Sequence, residues 1–259
     1  MLDPISQRLF LAGPPAPVCL MYHATPEDIS LSQWDVPLTQ FKQQLKLLKT
    51  NGWETRPVSQ IMHPAPAKTA FISFDDGYAN NYAAFQTLKE FGFIATWFIV
   101  TNTIGKQSVW EDNKHAQRTM LNTEQIQNMA KAGIEIGSHT SSHAKLTHLS
   151  YDEYVAELAS SKRILENIVN QPVTSCAYPY GLYSQAIRNG AESAGYKQAC
   201  TTHSGFGCVD NDALQIRRVS IYSHDSLSTF ARKLVFGDNV AGYGKTAGYL
   251  CKRLLNRFS

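Results

Sequence analysis

An apolar run, Phe71-Ile72-Ser73-Phe74, ends in two adjacent aspartates, Asp75 and Asp76, followed by Gly77. Carboxylates this close raise each other's pKa, so placing two at the end of a strand is costly unless a cation offsets the repulsion. As strand neighbours they point in different directions, leaving one to ligate a metal while the other faces a substrate. Asp-Asp-Gly is also ordinary turn chemistry. The reading shifts with a second set, His139-Thr140-Ser141-Ser142-His143. A His-x-x-x-His spacing carries little weight alone. With a carboxylate it makes a three-ligand site that leaves positions open, the arrangement of a catalytic rather than a structural zinc. The reaction class that follows is metal-assisted hydrolysis.

These residues must be held by secondary structure, and the chain supplies it in alternation. Strand candidates are Val18 to Tyr22, Phe71 to Phe74, Ala95 to Val100, Ile134 to Ile136, Thr174 to Tyr178, Gln198 to Thr202 and Ile216 to Ile221. Between them lie amphipathic helices: one from about Leu38 to Lys49, one after Asn80 ending at Gly92, and one opening at Asn122 with Gln125 three residues on. The longest begins at Ser150, with Glu153 completing a capping box. Such alternation predicts an α/β fold with a parallel sheet, and at this length a closed or nearly closed barrel. In a barrel of this kind, function gathers where the strands end. Just past the apolar runs stand His23, Asp75-Asp76-Gly77, His139 with His143, and Tyr178-Pro179-Tyr180-Gly181, while Arg217-Arg218 lies within the last strand.

Composition narrows the classes further. The 259 residues are 43% hydrophobic and 17% charged, which excludes a disordered chain. The net charge of +3 comes from the last fifteen residues, where Lys245, Lys252, Arg253 and Arg257 occur without an acid. The rest is near neutral, no footprint for nucleic acid. Five cysteines, Cys19, Cys176, Cys200, Cys208 and Cys251, form no C-x-x-C pair and predict a reducing compartment. Leu9 to Ala12 is too short for a signal-peptide core and no run reaches the length of a membrane span, so the expectation is a cytoplasmic protein. At the C-terminus, Leu250, Cys251, Leu254, Leu255 and Phe258 face one side of a helical wheel and basic residues the other. This tail either lies on an anionic membrane surface, giving a peripheral contact, or docks on the protein itself or on a second subunit. The expected layout is an extension over 1–17, a barrel over 18–237 and the tail over 238–259.

Phe74-Asp75-Asp76-Gly77, His139-Thr140-Ser141-Ser142-His143 and Tyr178-Pro179-Tyr180-Gly181, in that order, resemble the polysaccharide deacetylases of carbohydrate esterase family 4, the NodB homology domain. Further agreement lies at Met21-Tyr22-His23, Ala95 to Phe98, Gly133 to Gly137 and Ser160-Ser161-Lys162. The resemblance implies a distorted (β/α) barrel of seven or eight mostly parallel strands. It also implies removal of acetyl groups from N-acetylhexosamine units of a bacterial polysaccharide or its precursor, with a divalent metal: zinc first, cobalt or nickel as alternatives. Carried over, the motifs make Asp76, His139 and His143 metal ligands and Asp75 the base, with the backbone N–H of Tyr180 holding the oxyanion. Tyr178, Pro179, Trp110 and Arg217 are expected at the substrate.

Two departures bear on activity. Many members carry an arginine ahead of Pro-Tyr-Gly that orients the catalytic aspartate; here Ala177-Tyr178 stands there, leaving Arg217 or Arg218 to fill the space. A C-terminal Leu-x-x-His supplying the general acid is matched only loosely by Ile221-Tyr222-Ser223-His224. His23, in a Met-Tyr-His setting like that of a permuted subgroup, is the favoured acid, with His224 the rival. His63, His115, His148 and His203 read as surface or loop residues. Two other functions stay open: hydrolysis of non-sugar C–N bonds on the same fold, and a carbohydrate-binding pseudoenzyme.

Overall fold

The computed structural model describes residues 2–27, 32–110, 118–246 and 248. The amphipathic stretch Leu250 to Phe258 of the expected tail, including Cys251, and His115 lie outside the described residues.

Among the described residues, eight strands form one sheet in which every strand pairing is parallel: β1 (Val18–Tyr22), β2 (Glu54–Thr55), β3 (Thr69–Phe74), β4 (Thr96–Ile99), β5 (Glu135–Ser138), β6 (Ser175–Ala177), β7 (Gln198–Cys200) and β8 (Val219–Ser220). The order is β7-β6-β5-β4-β3-β1-β8, and the two-residue β2 pairs with the start of β3. The segment 216–218 bridges back to β7, with Ile216 N–H donating to Ala199 O at 2.9 Å and Thr201 N–H to Ile216 O at 2.8 Å. β8 then pairs with β1, so the expected strand over 216–221 joins the two ends of the sheet. The result is a distorted (β/α) barrel.

Strand pleating sorts the apolar residues into two cores. Cys19, Phe71, Phe98, Ala177, Cys200 and Ile216 pack together inside the barrel. Their neighbours Leu20, Ile72, Trp97, Cys176, Ala199 and Val219 face the helices. The interior is tight: a Cβ at Gly137 would lie 2.5 Å from the Phe98 ring and 3.0 Å from Ser175 O, so only glycine fits that strand position.

The outer layer consists of α1 (Pro4–Ala12), α2 (Leu38–Thr50), α3 (Asn81–Phe91), α4 (Thr123–Lys131), α5 (Tyr151–Val169), α6 (Gln185–Ser193) and α7 (Leu227–Phe236). Both capping boxes read from the sequence are present, Asn122 with Gln125 and Ser150 with Glu153. The expected extension over 1–17 contains α1, capped by Asp3 and sealed onto the body by buried Leu9 and Phe10, the latter stacked on Trp53 at 5.8 Å. No described helix is long and apolar enough to cross a membrane.

Candidate active site

The same pleat that sorts the core selects the polar groups at the C-terminal rim. Phe71, Ser73 and Asp75 share the inward face of β3 and its continuation; Ile216, Arg218 and Ser220 share the inward face of the closing segment, while Val219 and Ile221 pack outward. Asp75 and Arg218 therefore meet inside the barrel wall. Arg218 Nη1 donates to Asp75 Oδ1 at 2.6 Å and Nη2 to Oδ2 at 2.7 Å, a bidentate pair. Its remaining donors reach Ser73 Oγ at 3.1 Å and Thr201 O at 2.9 Å. Burial alone would raise the Asp75 pKa; Arg218 first, then His139 and His23, hold it below the usual carboxylate range. Of the two arginines considered from the sequence, Arg218 is the one that meets the aspartate.

Asp76 departs from the strand. Its φ of 72° is left-handed, an uncommon conformation for a non-glycine residue, and it swings the carboxylate away from the Asp75 direction. Asp76 Oδ1 lies 3.5 Å from His139 Nε2 and 3.3 Å from His143 Nε2. All three side chains are buried, and one ligand atom from each lies within 4.8 Å of the others. His139 Nδ1 is 2.8 Å from Ala177 O, which fixes the ring and leaves Nε2 facing the cluster. Burial pushes the His139 pKa down to about 4 against the pull of Asp75, so the imidazole is neutral at physiological pH, as a metal ligand must be. Apart from the two histidines, buried Asp76 Oδ1 has no polar partner among the described residues. A buried carboxylate oxygen facing two imidazole nitrogens fits a divalent cation.

His23 stands at the end of β1, half-buried, within electrostatic reach of both Asp75 and Asp76. Its ring tilts against Trp34 at 4.5 Å, Trp34 meets Tyr222 edge-on at 4.9 Å, and Tyr222 stacks on His224 at 5.3 Å. Two rings thus separate exposed His224 from His23. Trp34 belongs to no sequence motif, and only the fold brings it to the site.

Trp110 lies over His143 at 4.7 Å, and Tyr180 meets the same imidazole edge-on at 4.7 Å. Tyr180 is 43% exposed with a left-handed φ of 59°. The turn is locked at Gly181, where a Cβ would lie 2.1 Å from Thr202 Oγ1.

The structure also places the other three residues expected at the substrate. Tyr178 has the outward parity of Cys176, so it is fully buried on the helix side, stacked on Tyr183 at 5.1 Å with its hydroxyl donating to Leu214 O. Pro179 is buried beside it. Arg217, one residue out of phase with Arg218, packs against the 205–207 segment, where a Cβ at Gly205 would meet its Cδ at 2.4 Å.

Comparisons with known proteins bear on the family and the fold. The family model described as polysaccharide deacetylase matches residues 63–199. The Bacillus subtilis (strain 168) protein YxkH, whose name assigns it to the polysaccharide deacetylases, is 34% identical over 219 residues, spanning 82% of this chain and 73% of that protein. The poly-beta-1,6-N-acetyl-D-glucosamine N-deacetylase of Staphylococcus aureus (strain MSSA476) is 26% identical over 182 residues, 64% of this chain and 61% of that enzyme. Among solved structures, BC0361, a polysaccharide deacetylase from Bacillus cereus, superposes with a TM-score of 0.72 at 27% identity, over 84% of this chain and 68% of that one. The Streptococcus pyogenes deacetylase PplD, solved in complex with acetate, also reaches 0.72, at 26% identity over 85% of this chain and 99% of that one.

Proposed function

This chain belongs to the polysaccharide deacetylase family, and from that premise we propose that it is a metal-dependent hydrolase removing acetyl groups from N-acetylhexosamine units of a bacterial polysaccharide or its precursor. The observation that carries the reading is the buried Asp76, His139 and His143 cluster beside an aspartate held by Arg218.

Asp76, His139 and His143 would hold the divalent ion, zinc by the chemistry of the donor set. When bound, such an ion supplies Lewis acidity toward an acyl carbonyl and lowers the pKa of water. Asp75, kept ionised by Arg218, accepts the proton of the attacking water. The Arg218 fork also fixes the direction of both carboxylate oxygens, so the base needs no reorientation before it acts. The backbone N–H of Tyr180 stabilises the oxyanion as the acyl carbon becomes tetrahedral. His23, at the end of β1, protonates the departing amine. The Trp110 and Tyr180 rings form an apolar wall for a sugar ring.

The substrate named for the staphylococcal relative, poly-β-1,6-N-acetyl-D-glucosamine, is the first candidate here. The test is acetate release by the zinc-loaded chain from fragments of that polymer and from β-1,4-linked N-acetylglucosamine oligomers. Acetate from either supports the reading. No acetate from any acetylated glycan, with turnover of an imide or ureide, would assign the site to non-sugar C–N bonds.

A further inference from the structure

The loop between the two histidine ligands has a buttress on α5 that no motif marks. Thr140 and His143 both carry left-handed backbones, φ 65° and 62°, and although the Thr140 and Ser141 carbonyls accept from the Thr101 and Asn102 amides, none of the turn's own amides enters a backbone hydrogen bond. Each of its four amides donates to a side chain instead. Thr140 N–H donates to Ser138 Oγ at 3.1 Å and His143 N–H to Thr140 Oγ1 at 3.2 Å. The two amides between them, Ser141 and Ser142, both donate to Glu157 Oε2, at 2.9 and 2.8 Å, and Ser142 Oγ donates to Glu157 Oε1 at 2.7 Å. The Glu157 carbonyl accepts from Ser141 Oγ at 3.2 Å and from Ser161 Oγ at 2.8 Å. Ser161 in turn lies 2.7 Å from Ser138 Oγ at the end of β5.

We propose that Glu157 is a positioning residue for the metal centre: its carboxylate holds the 140–143 turn in the strained form that aims His143 at the ion shared with Asp76 and His139. The inference rests on the metal-dependent reading above. A carboxylate suits the task because an ionised acceptor binds amides more strongly than a neutral one and has lone pairs for three donors at once. Without it, the largely buried turn relaxes toward ordinary backbone angles, and His143 no longer lies 3.3 Å from Asp76. Glu157 touches no reacting atom, so its effect belongs in metal affinity.

The experiment is a zinc titration of the metal-free chain against a competing chromophoric chelator, run on the unmodified protein, Glu157→Ala, Glu157→Gln and Asp76→Ala, each checked for cooperative unfolding. We expect Asp76→Ala to abolish zinc binding, Glu157→Ala to weaken it about 10- to 100-fold, and Glu157→Gln, which keeps a neutral acceptor oxygen, to fall between. Zinc binding by the unmodified chain that Glu157→Ala leaves unchanged would overturn this inference alone. Absence of zinc binding by the unmodified chain would overturn the metal reading and this inference with it. If Glu157→Ala does not fold, Glu157→Gln decides: weaker binding supports the proposal and unchanged affinity overturns it.

Discussion

Arg218 grips both oxygens of Asp75, at 2.6 and 2.7 Å, inside a barrel wall where neither side chain meets appreciable solvent. A buried pair of this kind is weak evidence of net stabilisation, because desolvating two charges offsets their attraction. Removing one partner is a different matter. Arg218→Ala strands a buried carboxylate and is expected to destabilise the fold by about 3–5 kcal/mol in urea denaturation. A loss below about 1 kcal/mol would mean that Asp75 finds another partner or takes up a proton.

The ring sequence His23, Trp34, Tyr222, His224 leads outward from the cluster. His23→Gln is accordingly expected to lower kcat for acetate release by about 10²- to 10⁴-fold and to remove the alkaline limb of its pH profile. His224→Gln should stay within about twofold of the unmodified rate. The reverse pattern would move the general acid to His224.

Trp110 covers one face of His143 without reaching the aspartates through any described polar contact. Its contribution belongs to binding rather than to the chemical step. Trp110→Ala should raise KM about three- to tenfold, the value of one aromatic stacking contact, and leave kcat nearly unchanged. A fall in kcat with KM constant would show that the ring orders His143 instead.

Away from the site, Arg188 Nε and Nη2 hold both oxygens of Asp212, at 2.8 and 2.9 Å. The Arg188 hydrogen bonds lower the Asp212 pKa to about 2, against the opposing effect of burial. A depressed carboxylate pKa contributes stability that is present above the unfolded value, about 4, and lost as pH falls through the folded one. Asp212→Asn should therefore be less stable than the unmodified chain by about 1–2 kcal/mol at pH 6. The gap should narrow between pH 4 and 2, and urea midpoints across that range test it. A gap independent of pH would assign the loss to packing.

Most residues that ligate and catalyse in this reading, His23, Asp75, Asp76, His139 and Tyr180, were legible because they stand at or just past the end of an apolar run, and His143 was legible by its spacing from His139. What the sequence did not give was the inside and outside of each strand. Both faces of these strands are apolar, so alternation carries no polarity mark, and Arg217 and Arg218 could not be told apart until Ile216 and Ser220 were placed inward. The same parity explains Tyr178, whose motif suggested the substrate and whose pleat sends it to the helices. The two-residue β2 is too short for any periodicity. Helices α1, α6 and α7 were not read from the sequence, although their caps, Asp3 with Pro4, Ser184 and Ser226, mark their starts. Glu157 left no mark because an acidic residue on an amphipathic helix looks like any solvated one.

The most direct measurement of the central claim compares Asp75→Asn with Asp76→Ala for zinc content and acetate release from an N-acetylglucosamine oligomer. The account predicts that Asp75→Asn retains zinc and loses acetate release by about 10²-fold or more, the loss of a general base, whereas Asp76→Ala loses zinc as well as activity. Full acetate release by zinc-loaded Asp75→Asn would contradict the assignment of the base, and undiminished zinc in Asp76→Ala would contradict the metal centre itself.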